Sequence, residues 1–211
     1  MTKSKRDTGR RGYHHGNLSE ALVQATLDLI AKYGPTGFSF AEVTRAVGVS
    51  PAAPYRHFRD RDALMADIAR RGFDMLADDL AAAWNDGGGN AMTNFKSVGQ
   101  AYLEFAKSQP AYYTAMFEAR LPTETNRDLA QASERAFAAL RTACEGVIAD
   151  LPAKKRPPAM MMSLHVWALS HGIASLFGRG DQARRSVPMR PEDLLEAGIL
   201  IYLDGLGFDK V

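Results

Sequence analysis

Tyr55, Arg56 and His57 place a phenol, a guanidinium and an imidazole within one turn of chain. All three donate hydrogen bonds to phosphate oxygens or base edges. Just before them, Ala52 and Ala53 are too small to fill a core. Small side chains let a backbone approach bases closely and can contact a thymine methyl. Together these residues have the chemistry of an element that enters the major groove of DNA. The plainer alternative is a short connector whose polar side chains face water.

Groove contact requires a rigid mount, and the flanking residues supply one. Ser39 and Glu42 have the spacing of a capping box, in which hydroxyl and carboxylate each satisfy a backbone N–H at a helix start. A helix is therefore predicted from about Phe40. Gly48 can take the left-handed conformation that ends it. Ser50 is positioned as a second N-cap with Pro51 at the first helical position, predicting a helix from Pro51 to about Phe58. Asp60 then caps the next helix.

The stretch from Gly12 to about Leu64 resembles the N-terminal DNA-binding domain of the TetR family of bacterial transcriptional regulators. The matching residues are Tyr33-Gly34, Gly37-Phe38-Ser39, Val43, Ala46-Val47-Gly48-Val49-Ser50, Tyr55-x-His57-Phe58, and Leu64 after a basic residue. The resemblance implies phosphate contacts from Tyr55, His57 and Arg61. It implies groove contacts from the face comprising Pro51, Ala52, Ala53 and Arg56, with Thr44 and Arg45 beside the DNA backbone. Three residues depart from the family pattern. Thr44 replaces the usual alanine and Arg61 the usual lysine, while Pro54 stands where an aliphatic residue is usual. In the first turn of a helix Pro54 is expected to remove at most one ladder hydrogen bond.

The 211 residues are enough to bury a substantial core in one or two domains. Net charge is +2, but five basic residues against Asp7 give residues 1 to 16 a charge of +4, leaving −2 for the rest. This arm either solubilises the chain or tracks the phosphate backbone through Arg10, Arg11, Tyr13 and His14. Cys144 is the only cysteine, which excludes an intramolecular disulfide and a cysteine-based zinc site. No secretory apolar region is expected after the basic start, since His14-His15-Gly16-Asn17 interrupts it. No apolar run is expected to reach the ~20 residues of a membrane span. A cytoplasmic protein is expected.

The predicted fold is all-α. A first helix opens at Asn17 with Glu20 in capping-box position and stops at Gly34-Pro35. Later helices are predicted over Asp60 to Trp84, Ala91 to Ser108, Pro110 to Arg120, Asn126 to Asp150, Pro157 or Pro158 to Gly178, and Pro191 to about Gly205. No hairpin or strand signal occurs. The expected organisation is a basic arm (1–16), a three-helix helix-turn-helix head (17–62) and a C-terminal helical bundle (63–211). In TetR-like proteins that bundle dimerises and binds a small effector. The segment with Trp167, His171 and Gly172 is similar to the C-terminal type named for its Trp-His-Gly motif.

Leu164, Ala168, Gly172 and Ser175 or Leu176 share one side of the penultimate helix, as do Leu194, Gly198, Ile201, Tyr202 and Gly205 of the last. These stripes form either a homodimer seam or internal packing. The bundle also offers a candidate lining for an effector pocket: Met75, Phe105, Tyr113, Met116, Phe117, Met161 and Trp167, with His171 as a polar anchor. Tyr112, Met162 and His165 are further candidates. A Met or aromatic residue at helical spacing is more often ordinary core.

The histidines lack metal-ligand spacing, and Gly87-Gly88-Gly89 has neither a preceding strand nor a following Lys-Ser, so no metal, cofactor or enzymatic activity is expected. The function expected is that of a regulator, most simply a repressor, binding a palindromic double-stranded DNA operator as a dimer and responding to an unidentified small molecule. The alternative is a helical small-molecule binding protein without a DNA role.

Overall fold

The computed structural model of the protein describes residues 18–86, 88–121, 126–178 and 188–206. Among them eight α-helices follow one another without a strand. They are α1 (Leu18–Tyr33), α2 (Phe40–Val47), α3 (Arg61–Asn85), α4 (Ala91–Ser108), α5 (Pro110–Glu118), α6 (Arg127–Ala149), α7 (Ala159–Gly178) and α8 (Pro191–Gly205). Short 3-10 turns occur at Pro54–Arg56 and Ala153–Lys155. The basic arm and the Asn17 cap lie outside the described residues.

Helix starts follow the local chemistry of the sequence. At α2 the Ser39 N–H donates to Glu42 Oε2 at 2.8 Å while the Glu42 N–H donates to Ser39 Oγ at 3.3 Å, completing the capping box. Asp60 accepts from the Ala63 N–H at 2.8 Å, Asn90 from Thr93 at 2.9 Å and Asn126 from Leu129 at 3.1 Å. Gly48 ends α2 with φ 76°, a left-handed conformation that costs a residue with a Cβ about 1–2 kcal/mol. α5 stops at Glu118, two residues short of expectation.

α3 is the structural axis. Its first turns complete the core of the head, where Leu64 is fully buried with Leu22, Val43 and Phe38. Further along, Ile68, Phe73, Leu76 and Leu80 of the same helix enter the core of the body, against α4, α5 and α6. α5 also packs on α1. Where head meets body, Arg71 pairs with Glu20 of α1 at 2.7 Å and with Asp67 at 2.8 Å. The Arg71 hydrogen bond holds the Glu20 carboxyl below its usual range.

Candidate nucleic-acid interface and cavity

The segment expected to be a regular helix from Pro51 to Phe58 is instead a turn over residues 51–53 followed by the 3-10 turn Pro54–Arg56. Pro54 is the physical reason. It has no N–H to offer the Ser50 carbonyl, which accepts from the Ala53 N–H at 3.0 Å. The tighter pattern continues as the Arg56 N–H donates to the Ala53 carbonyl at 3.3 Å and the His57 N–H to that of Pro54 at 2.9 Å. Pro54 therefore changes a whole turn, not one hydrogen bond.

The tightened segment still divides its side chains by role. Pro54 and Phe58 point into the head and are buried, whereas Pro51, Ala52, Tyr55, Arg56 and His57 are exposed. Ala53 is half-buried. Tyr55 is 60% exposed and set edge-on against Phe40, with ring centroids 5.3 Å apart. Arg45, at the end of α2, is exposed as well.

Two residues expected at the DNA are occupied elsewhere. Thr44 is 7% exposed, and its hydroxyl donates to the Phe40 carbonyl at 2.9 Å. It is packed inside the head and does not offer its side chain outward. Arg61 donates from Nε to the Phe38 carbonyl at 3.1 Å and from Nη2 to the Pro35 carbonyl, and its guanidinium lies 4.7 Å from the centre of the Phe38 ring. It clamps the loop between α1 and α2, a task suited to a planar fork with several donors.

In the body, a cavity of about 400 Å³ opens among five helices. α3 contributes Phe73, Leu76 and Leu80, α4 contributes Tyr102, and α5 contributes Met116 and Phe117. α6 adds Phe137, Leu140, Ala136, Ser133 and Glu134, and α7 adds Leu164 and Trp167. Of the expected lining, Met116, Phe117 and Trp167 are brought together here. Tyr113 and His171 stand one layer behind: the Tyr113 hydroxyl is 2.7 Å from His171 Nδ1, and the Tyr102 hydroxyl is 3.2 Å from the same atom. Burial pushes the Tyr102 phenol above its ordinary range, with Tyr113 adding to the effect, and burial lowers His171. Both shifts favour the neutral forms of Tyr102 and His171.

Met75, Phe105 and Met161 do not line the cavity. Phe105 is 2% exposed in the core, Met75 is half-buried against the core, and Met161 is 42% exposed on the outer side of α7. Met162 is fully buried, and His165 Nδ1 lies 3.2 Å from the Tyr202 hydroxyl. The residues missed, notably Phe73, Phe137 and Leu140, have helical spacing that reads as core from sequence. Only the meeting of five helices turns them into a wall.

Two family profiles match the sequence: bacterial regulatory proteins of the tetR family over residues 22–68, and the tetracyclin repressor-like C-terminal domain over residues 95–201. The chain belongs to the TetR family. This TetR-family chain is 29% identical over 100 residues to YobS of Bacillus subtilis, an uncharacterised HTH-type transcriptional regulator, across 47% of the chain and 51% of YobS. The chain thus spans about half the length of the curated relative it matches. A protein with unknown function from a Rhodococcus species has a similar structure, with TM-score 0.76 and 26% identity over 93% of this chain and 98% of that one. The TetR family transcriptional regulator PfmR from Thermus thermophilus shares the fold, with TM-score 0.67 and 18% identity over 90% of this chain and 99% of its own.

On this TetR-type body, α7 and α8 leave an apolar face uncovered. Leu164 is 44%, Leu176 55%, Leu200 46% and Ile201 75% exposed. Ala168 and Ser175 are exposed with them. Gly198 lies on the inner side instead, because a Cβ there would come within 2.8 Å of Leu169, and Leu194 and Tyr202 are half-buried against the core. By length and composition α7 is apolar enough to cross a membrane, contrary to expectation, with a mean hydropathy of 1.2. Its Ser, His and Gly residues hide this from a search for an unbroken apolar run. A third of it is buried against the rest of the bundle, and the uncovered apolar face accounts for its composition.

Proposed function

We propose that the protein is a ligand-responsive transcriptional repressor of the cytoplasm that binds a palindromic DNA operator as a homodimer and has no enzymatic role. The observation that carries this reading is the outward set Arg45, Ala52, Tyr55, Arg56 and His57, held on a segment that Pro54 and Phe58 anchor in the head. Tyr55 and His57 position the head on phosphates, and Arg56 reads a base edge. Arg45 adds a phosphate contact from α2. Residues 1–16 form a basic arm, 17–62 the DNA-binding head and 63–211 the effector-binding and dimerisation body.

The uncovered face of α7 and α8 supports dimerisation, since two copies would bury its leucines and Ile201 in a four-helix interface. A twofold dimer sets two recognition segments ~34 Å apart, on successive major grooves. The cavity supports an effector role. Phe73, Leu76 and Leu80 form part of its wall and belong to α3, the helix that also carries Arg61 and Leu64 of the head. A ligand that prefers one tilt of α3 weakens DNA binding by the same coupling, commonly ~1–3 kcal/mol.

Selection of bound duplexes from a random pool tests the proposal. The expected result is an inverted repeat whose affinity falls steeply with salt. Recovery of no sequence, with no retention of DNA at low salt, would leave a helical small-molecule binding protein without a DNA role. On the selected site, Arg56→Ala is expected to relax preference at one position by about 1–3 kcal/mol, whereas Tyr55→Phe weakens all sites alike.

A further inference from the structure

Resting on the assignment of the cavity as the effector site, we propose that its ligand is a lipophilic monocation: an apolar body carrying one ammonium-like head. Each of the five helices around the cavity contributes one aromatic ring, Phe73, Tyr102, Phe117, Phe137 and Trp167. The Trp167 centroid is 6.5 Å from that of Phe117 and 6.3 Å from that of Phe137. Ring faces carry partial negative charge and attract a desolvated cation.

Among the described residues, Glu134 is the one formally charged member of the lining, and no lysine, arginine or histidine joins it. Its side chain is 68% exposed. The nearby cations are engaged with other carboxylates. Arg135 pairs with Asp74 at 3.5 Å and with Asp78. Arg141 reaches Glu134 only at 4.0 Å and also lies 3.8 Å from Glu145. Behind the wall, burial lowers the His171 pKa and so disfavours a positive charge there.

The consequences differ by ligand class. An anion entering this cavity meets aromatic rings and a carboxylate with no counter-charge in the described wall. A neutral molecule gains apolar contact alone. A cation gains the same contact plus the rings and Glu134. The volume of about 400 Å³ suits a drug-sized molecule.

The test uses the full-length protein and three probes of equal chain length kept below micelle formation: decyltrimethylammonium, 1-decanol and decanoate, titrated calorimetrically. Decyltrimethylammonium is expected to bind about tenfold tighter than decanol, with decanoate weakest. Glu134→Gln, an exposed substitution, should shrink the preference for the cation about threefold and leave decanol binding unchanged. Decanol or decanoate binding as tightly as the cation would overturn the proposal. So would an undiminished cation preference in Glu134→Gln. Failure of all three probes to bind removes both this ligand class and the cavity as an effector site. Selective cation binding that leaves the DNA complex intact in a gel shift upholds the ligand class while refuting the effector role.

Discussion

In the head, the bonds that shape the outward segment join residues at most four apart: Ser39 with Glu42, Gly48 with Thr44 and Arg45, Ser50 with Ala53, and Asp60 with Ala63. The cavity of the body has no comparable local signature, because its wall takes one ring from each of five helices. The head shapes its outward segment largely through short-range bonds, whereas the body shapes its cavity through the packing of helices distant in sequence. A head of this kind tolerates a changing body beneath it. In a body of this kind, substituting one ring alters the cavity wall with no cap disturbed.

The two regions nevertheless share α3, and the largest predicted effect tests whether that makes them one cooperative unit. Phe95 is 1% exposed in the core of the body, and Phe95→Ala is expected to cost about 3–5 kcal/mol. Because the buried face of α3 runs from Leu64 in the head to Leu80 in the body, the loss should move a single transition. Urea unfolding followed by circular dichroism and by the fluorescence of Trp84 and Trp167, both in the body, checks this. A helical signal that persists after the tryptophan signal is lost would show that the head unfolds separately.

Gly48→Ala confines the damage to the head. A Cβ at Gly48 meets nothing within 4 Å, so the cost is conformational only, from φ +76°. The expected destabilisation is about 1–2 kcal/mol. DNA affinity should fall more than the stability change requires, because the turn sets the angle between α2 and the outward segment. Unchanged affinity at full folding would mean that this angle is not held by the turn.

The same contrast explains what was legible in the sequence. Helix limits were readable within a residue or two because Ser39, Asp60, Asn90 and Asn126 act through neighbouring N–H groups. The loop contacts of Arg61 were not legible because its partners, the carbonyls of Pro35 and Phe38, are more than twenty residues away in sequence. Pro54 was underestimated for a different reason: a missing donor at the first carbonyl of a short helix, that of Ser50, tightens the turn that follows. Of the expected pocket lining, Met116, Phe117 and Trp167 border the cavity, while Phe105 and Met161, of the same residue types, do not. Which side of a helix faces a void depends on the neighbouring helices.

Ser39→Ala sharpens the comparison at smaller scale. It removes the bond from the Glu42 N–H and leaves the Ser39 N–H free to donate to Glu42. About 1 kcal/mol of stability should be lost, measured by urea midpoint. A loss as large as that of Phe95→Ala would mean that the cap supports more than its own helix.

The smallest effect lies in the body and depends on pH. His171 has its pKa lowered from 6.5 by burial, so the unfolded chain binds a proton more readily than the folded one. Stability rises with pH wherever the unfolded state holds more protons. The contribution of the neutral imidazole is therefore fully present above about pH 6.5 and is lost as pH falls through that value toward the lower folded pKa. His171→Gln removes this titration and should flatten the urea midpoint between pH 7.5 and pH 5.5 relative to the parent chain, whatever it does to stability at pH 7.5. Equal slopes in the two proteins would show that the imidazole and the Tyr102 and Tyr113 hydroxyls accommodate a proton in the folded state. A bound cation beside Trp167, whose ring centroid is 5.9 Å from that of His171, should steepen the slope, since a second positive charge there disfavours protonation further.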